Sequence, residues 1–316
     1  MARVLPNAVF IGSGVSRWLD NQVATPDVLI CYRSDPRYLA RIQRWCRRRR
    51  VPLIVDIVDW YAVTDVSGLG PKLFCALNDL WFMRYAARRC DGALVASRLL
   101  ERHFRSLHVP TLMVPAVVGA LGNPLQSADG QLTVTYAGTP GRREARVISN
   151  LGRLAREGEL AELGVRVKMV GIPSPREPSA GSWLGIEYFG RLSRKQTLDL
   201  VSRSTFTVLQ RPPDRRFAQA GFPSKVAESL LLGVPVITNL TGDIQEYLTD
   251  RQNAIVLGSE DYDALRDGIA RAAQWVAQGT IDRAAIAREA ADQFSPGAAM
   301  TRLTDFLRTV TGGRDD

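Results

Sequence analysis

The sequence predicts an α/β protein of two domains, each built on a parallel sheet. Short β-branched runs alternate with longer amphipathic stretches, the pattern of βα units. The alternation stops at VVGALGNPLQSADGQ (117–131), which is rich in Gly, Asn, Pro and Ser and lacks periodicity, and then restarts. A length of 316 residues suits about two domains of roughly 150 residues each.

The strands expected before the interruption are DVLICY (27–32), PLIVDI (52–57), GALVAS (92–97) and TLMVP (111–115). Helices fall between them at Arg37–Arg48, Leu73–Arg89 and Arg98–Ser106. After it the strands are LTVTYAG (132–138), VRVKMVG (165–171), IEYFG (186–190), TFTVLQ (205–210), VPVITN (234–239) and AIVLG (254–258). Their helices are Arg146–Arg156, Ser193–Ser202, Lys225–Leu232 and Ile244–Leu248. The tail from Tyr262 to Val310 reads as helical, broken at Ser295-Pro296-Gly297. This gives a short first domain (1–122), a linker (123–131), a second domain (132–295) and a C-terminal helix (296–316) that braces the first domain.

Composition excludes several classes. Hydrophobic and charged contents of 46% and 23% are those of an ordinary soluble globular protein. The opening MARVLPNAVFIGSG has no signal-peptide pattern, and no window reaches about 18 uninterrupted apolar residues. Cys31, Cys46, Cys75 and Cys90 form no C-x-x-C pair, and only His103 and His108 accompany them, so no metal site is expected and the cysteines read as buried reduced thiols. A cytoplasmic protein is the expectation.

The net charge of +9 is concentrated early: residues 1–130 hold 17 Lys and Arg against 10 Asp and Glu. The densest patch is Arg41, Arg44, Arg47, Arg48, Arg49 and Arg50, with Trp45 interleaved. It reads either as a solvated helix face or as a peripheral contact with an anionic membrane, here the inner face of the cell membrane. Trp81, Phe82, Met83, Arg84, Arg88 and Arg89 join aromatic to basic residues and extend the second reading, with core packing of Trp81 and Phe82 as its alternative. Nucleic acid is not the expected partner, because charge alone supports it and no recognition module is present.

The chemistry is carried by AGFPSKVAESLLLGVPVITNLTGDIQEYL (220–248). Gly221 and Pro223 force a turn, Ser224 suits an N-cap, Lys225 to Leu232 is helical, and Gly233 ends the helix before a buried strand. The helix start lies on one rim of a parallel sheet, where its N–H groups and dipole favour an anion and Lys225 adds a full positive charge. Glu228, one turn on, is placed to accept hydrogen bonds from a vicinal diol. Phosphate beside a cation and a diol beside a carboxylate describe a nucleotide diphosphate. The alternative for Lys225 and Glu228 is an i,i+3 surface ion pair, worth about 0.2–0.5 kcal/mol.

This segment resembles the signature of the family 4 (group 1) retaining glycosyltransferases of GT-B fold. Glu228 matches the second Glu of their Glu-x7-Glu element, and Gly233-Val234-Pro235-Val236-Ile237 matches the G-x-P-V-I stretch of that signature. Ala220 stands at the first Glu, as in a bacterial subgroup that reads GFPSK..ES. Thr241 to Glu246, Asp250 and Asn253 resemble the signature's closing run. VTYAGTPGRREARVISNLGRLA (134–155) is similar to the opening of the family's C-terminal domain, and IEYFGRLSRKQTLDLVSRSTFTVLQR (186–211) to a later block.

The resemblance implies two Rossmann-like domains with parallel sheets facing a cleft. It implies donor diphosphate contacts from Gly138, Arg142, Arg143, Arg211, Gly221, Phe222, Pro223, Ser224 and Lys225, and base and ribose contacts from Gly190, Arg191, Leu192 and Glu228. In the first domain, DVLICYRSDPRYLARIQRWCRRRRVPLIVDIVDWY (27–61) and RCDGALVASRLLERHF (89–104), with Ser97 at its strand end, are similar, and AVFIGSG (8–14), with Gly12 and Gly14, is a candidate glycine loop. Asp56, Asp59 and Trp60 are then the acceptor-side residues, and Asp59 joins Lys225 and Glu228 as a candidate for catalysis.

The implied reaction moves a sugar from a UDP- or GDP-linked donor to a glycan, lipid-linked or small-molecule acceptor, with retention and with no metal or resident cofactor. Two other readings stay open: a non-catalytic nucleotide-sugar-binding subunit or scaffold of the same fold, and, with less support from only two histidines, a sugar-nucleotide epimerase.

Overall fold

The structure is a computed structural model that describes residues 25–32, 36–119, 121, 132–138, 145–172 and 185–312. It divides into two compact units: residues 1–117, 214–222 and 296–316 form the first, and 118–213 and 223–295 the second. The expected linker 123–131, the candidate glycines Gly12 and Gly14, and Arg142 and Arg143 lie outside the described residues.

In the first unit four strands pair in parallel in chain order: β1 (Leu29–Tyr32), β2 (Leu53–Ile57), β3 (Gly92–Val95) and β4 (Thr111–Met113). A parallel sheet covered on both faces needs apolar residues in succession, and β2 and β3 supply them. Helices Pro36–Arg49, Leu69–Leu77 and Arg98–Ser106 follow β1, β2 and β3. The middle helix runs on as a π-helical stretch, Asn78–Ala86. Leu39, Ile42, Phe82, Met83, Leu100 and Phe104 from this layer close over Leu53 and Val55 on one face. The opposite face is covered by helix Pro296–Gly312, whose Leu303 and Val310 pack on Ile54 and Leu94. A Cβ at Gly92 would come within 2.9 Å of the Phe306 ring, so the helix lies this close only because residue 92 is glycine.

The second unit holds six parallel strands, β5 (Leu132–Ala137), β6 (Val165–Val170), β7 (Ile186–Gly190), β8 (Phe206–Leu209), β9 (Val236–Asn239) and β10 (Ala254–Leu257). Their spatial order is β10-β9-β8-β5-β6-β7. The chain moves outward from β5 to β7, returns to β8, and moves outward the other way. The reversal between β5 and β8 is a topological switch point, where open α/β sheets bind ligands at the carboxyl ends of their strands. Helices Ala145–Arg156 and Tyr262–Ala277 build one side of the core, with Leu151, Leu154, Leu265, Ile269 and Trp275 all buried. Helices Arg194–Ser202 and Ser224–Leu231 touch each other, and Leu198, Val201, Leu232 and Val234 form a smaller cluster with Ala137.

All ten expected strands form. The differences lie in short elements. Residues 214–222, read as part of the second domain, pack with the first unit, where Arg216–Ala220 is one turn of helix and Ala220 is fully buried in the core. The segment expected as helix Ile244–Leu248 is a 3-10 turn, Gly242–Glu246. The terminal helical tract has a second break: Gly279 takes a left-handed φ of 65° after the first helix, and Asp282 caps the next through the Ala285 N–H at 2.9 Å. All four cysteines are buried reduced thiols, and burial pushes Cys90 up to about 12.

Candidate functional site

Helix Ser224–Leu231 opens differently from the sequence expectation. Ser224 is its first residue, not its cap; extended Pro223 occupies that position and offers no side-chain acceptor. No cap side chain holds the first N–H groups, and the Val226 N–H bonds the Pro223 carbonyl at 3.0 Å. Ser224 is exposed and Lys225 half-buried, so this end is not plugged into the protein interior. The other end is as expected: Gly233 takes φ 69°, and a Cβ there would fall 2.4 Å from the Arg283 carbonyl oxygen.

Lys225 lies with Nζ 5.5 Å from the Tyr136 ring centre, a cation–π contact with the strand beside the switch point. Glu228 is half-buried and bonds Arg194 at 2.5 Å, not Lys225 one turn before it. Arg194 opens helix Arg194–Ser202, which Ser193 and Gln196 cap reciprocally. Lys225, Glu228 and Ser229 line a cavity of about 40 Å³ with Thr135, Ala137 and Thr207. Two cations and one carboxylate thus gather beside the switch point of the second unit.

The remaining rim of this sheet is built from backbone. Gly138, just past β5, donates its N–H to the Val170 carbonyl at 3.0 Å. Gly190 takes φ 58° and accepts from the Gly171 N–H at 2.6 Å. Arg191 is exposed and Leu192 half-buried in the turn that leads to Arg194. Arg211 follows β8, and its N–H and carbonyl are held by the Asn239 side chain at 2.9 and 2.7 Å. Gly221 and Phe222 belong to the first unit, and the Gly221 N–H bonds the Phe217 carbonyl at 3.1 Å.

The acceptor-side residues lie at and beyond the end of β2 in the first unit. Trp60 donates its indole N–H to Asp79 at 2.7 Å, Arg216 bonds the same carboxylate at 3.1 Å, and its guanidinium lies 4.7 Å from the Trp60 ring. Asp59 is half-exposed. Asp56 is the titration outlier: burial pushes its carboxyl up to about 6. Its protonated form is favoured by folding, so the folded state binds more protons than the unfolded one between the ordinary value of 3.8 and about 6. Stability is then expected to fall as pH rises through that window, by about 3 kcal/mol, and to level off above it. Denaturant titrations across that range should show this slope in the wild type and lose most of it in Asp56→Asn; an unchanged slope contradicts the assignment.

Sequence reasoning missed Arg194 and Arg283. The SRKQ capping box marks the helix that carries Arg194, but nothing local pairs it with a residue 34 positions away. Arg283 reaches the ends of both site helices: Nη2 bonds the Ser202 carbonyl at 2.6 Å and Nε the Gly233 carbonyl at 3.1 Å.

No protein-family model matches the chain, and no curated protein matches it by sequence. Solved structures do match. Anabaena Alr3699/HepE in complex with UDP-glucose aligns with a TM-score of 0.65 and 12% identity, over 93% of this chain and 80% of that one. Sucrose-phosphate synthase from Thermosynechococcus elongatus aligns at 0.65 and 15%, over 90% and 74%. The chain has the GT-B fold. The pneumococcal O-GlcNAc transferase GtfA, in complex with UDP and GlcNAc, aligns at 0.59 and 15%, over 85% of this chain and 54% of that one. Within this GT-B chain, Lys225, Glu228 and Arg194 all lie in the second unit.

Proposed function

We propose that the chain is a glycosyltransferase that moves a sugar from a nucleotide-diphosphate donor to a glycan, lipid-linked or small-molecule acceptor. The observation that carries this reading is the grouping of Lys225, the open helix start and Glu228 at the switch point of the second sheet. The similar structures that hold UDP-glucose or UDP support a UDP-linked donor, with GDP as the other candidate base. Lys225, the exposed start of its helix, and Arg142 or Arg143 would face the diphosphate and stabilise charge on it as it leaves. Arg194 fixes one oxygen of Glu228, which leaves the second to accept the ribose hydroxyls. Gly190, Arg191 and Leu192 would border the base.

The reaction proposed retains anomeric configuration. An oxygen of the departing diphosphate takes the acceptor proton, so no protein base is needed there. The donor is substrate, and the reaction as written calls on no metal or resident cofactor. Asp59 is the first-unit group proposed to meet the acceptor. A nucleotide-sugar donor implies a cytoplasmic site of action.

A second reading, a donor-binding subunit without activity, is favoured by one observation: Ala220 stands at the first acidic position of the signature and its side chain is fully buried, so no carboxylate serves there. Two measurements separate the readings. Nucleotide sugars should protect the wild type against thermal unfolding, by about 2.7 kcal/mol at a ligand concentration near 100 Kd, and Glu228→Ala should lose most of that protection. Donor hydrolysis by the wild type then supports the enzyme. Protection without hydrolysis or transfer supports the subunit, and protection by neither UDP- nor GDP-sugars sinks both.

A further inference from the structure

The helix that follows β2 presents apolar side chains to water. Leu69, Leu73, Leu77 and Leu80 are 87%, 58%, 55% and 65% exposed, and Phe74 is 51% exposed. Their spacing of four, four and three places the leucines on one stripe of one helix. The inward side of the same helix supplies Phe82 and Met83 to the core. Of the two readings of this segment, core packing holds for Trp81 and Phe82 and the surface patch does not: Phe82 and Met83 are buried, Trp81 is half-buried against the core, and the exposed residues are the leucines before them.

The stripe is bordered by positive charge. Lys72, Arg84, Arg88 and Arg89 on the same continuous helical stretch are exposed. Helix Pro36–Arg49 covers the same face of the sheet and packs against this one. It adds Arg41, Arg44, Arg47, Arg48 and Arg49, and Arg50 follows it, all exposed, with no acidic residue between 36 and 50. Between the ends of the two helices a cavity of about 240 Å³ is lined by Arg47, Arg88 and Arg89, with Gln43 and Asp91. Asp91 is the acidic group of that lining, and one of its oxygens accepts from the Leu53 N–H at 2.8 Å.

We infer that this face is a membrane-docking surface for anionic phospholipid. The leucine stripe enters the boundary between headgroups and acyl chains, the arginines meet the headgroup charge, and the arginine-lined cavity takes a lipid phosphate. Charge complementarity selects this occupant over a second copy of the chain, which would bring one arginine-rich face against another. Among the described residues no helix is long and apolar enough to cross a membrane, so the helix lies along the surface. The surface lies in the first unit and its test is independent of the donor reading.

The test is flotation of the full chain with vesicles of phosphatidylcholine alone or mixed with phosphatidylglycerol, with sedimentation velocity alongside. The expected result is binding to the mixed vesicles, weakened by high salt, little binding to phosphatidylcholine alone, and a monomer in solution. Leu73→Gln with Leu77→Gln should reduce binding at least tenfold while thermal unfolding stays unchanged, since both side chains already face water. Arg47→Gln with Arg88→Gln should reduce the preference for the anionic lipid. No binding to mixed vesicles, equal binding to both kinds, full binding by the leucine variant, or a dimer that the leucine substitutions dissociate would overturn the inference.

Discussion

Lys225→Ala should lower kcat/KM for donor turnover by about 100- to 1,000-fold, the loss typical when one preorganised group facing developing charge is removed. Lys225 is the second residue of helix Ser224–Leu231, so its charge adds to N–H groups that have no side-chain cap. Both act on the same leaving diphosphate under the proposed reaction. The loss should fall mainly on kcat, because charge on the bridging oxygen grows only as the bond to the sugar breaks. Lys225→Arg should recover part of the rate, because it restores the charge with a different shape. Steady-state donor hydrolysis, with transfer once an acceptor is found, measures this. A Lys225→Ala enzyme within threefold of wild type would remove Lys225 from the chemistry, whereas equal loss of nucleotide protection and rate would reassign it to binding alone.

Arg283→Met should destabilise the second unit by about 2–4 kcal/mol. The guanidinium lies beyond the carboxyl ends of two helices and takes three of their carbonyls: Ser202 at 2.6 Å, Gly233 at 3.1 Å and Leu232 at 3.4 Å. Those oxygens have no partner further along their own helices, and a cation there also suits the helix dipoles. The site is costly to build. Burial lowers the Arg283 pKa, and among the described residues Nη1 has no hydrogen-bond partner. Methionine relieves that cost yet strands three carbonyls, and the second effect is the larger. The first turns of the same helices carry Arg194 and Lys225, so the variant should also raise the KM for donor more than it lowers kcat. Arg283→Lys, which reaches one carbonyl in place of three, should fall between. Urea denaturation supplies the stability, and a change below about 0.5 kcal/mol would show the clamp to be incidental.

The strands were legible because a buried parallel strand is almost continuously apolar, and runs such as PLIVDI and VPVITN allow little else. The turn, helix and glycine stop at 221–233 were legible from local chemistry alone. What failed locally was decided at a distance. Residues 214–222 fall inside the expected second domain, yet Ala220 is buried in the first unit's core. The stretch LGPKLFCALNDLWFMRYA is apolar on most sides, so its pattern marks a helix without saying which side is covered. Arg283 begins a helix that looks like any solvated one, and its burial depends on carbonyls some 50 and 81 positions earlier.

The dependence of the first sheet on residues 296–312 has a consequence for biosynthesis. All of the second unit is synthesised before that last helix leaves the ribosome, so its core can close while the first unit still waits. Until then Ile54 and Leu94 stay uncovered on one side. A stop codon just before Pro296 would therefore leave the second unit competent to fold and turn the first into a target for chaperones and proteases.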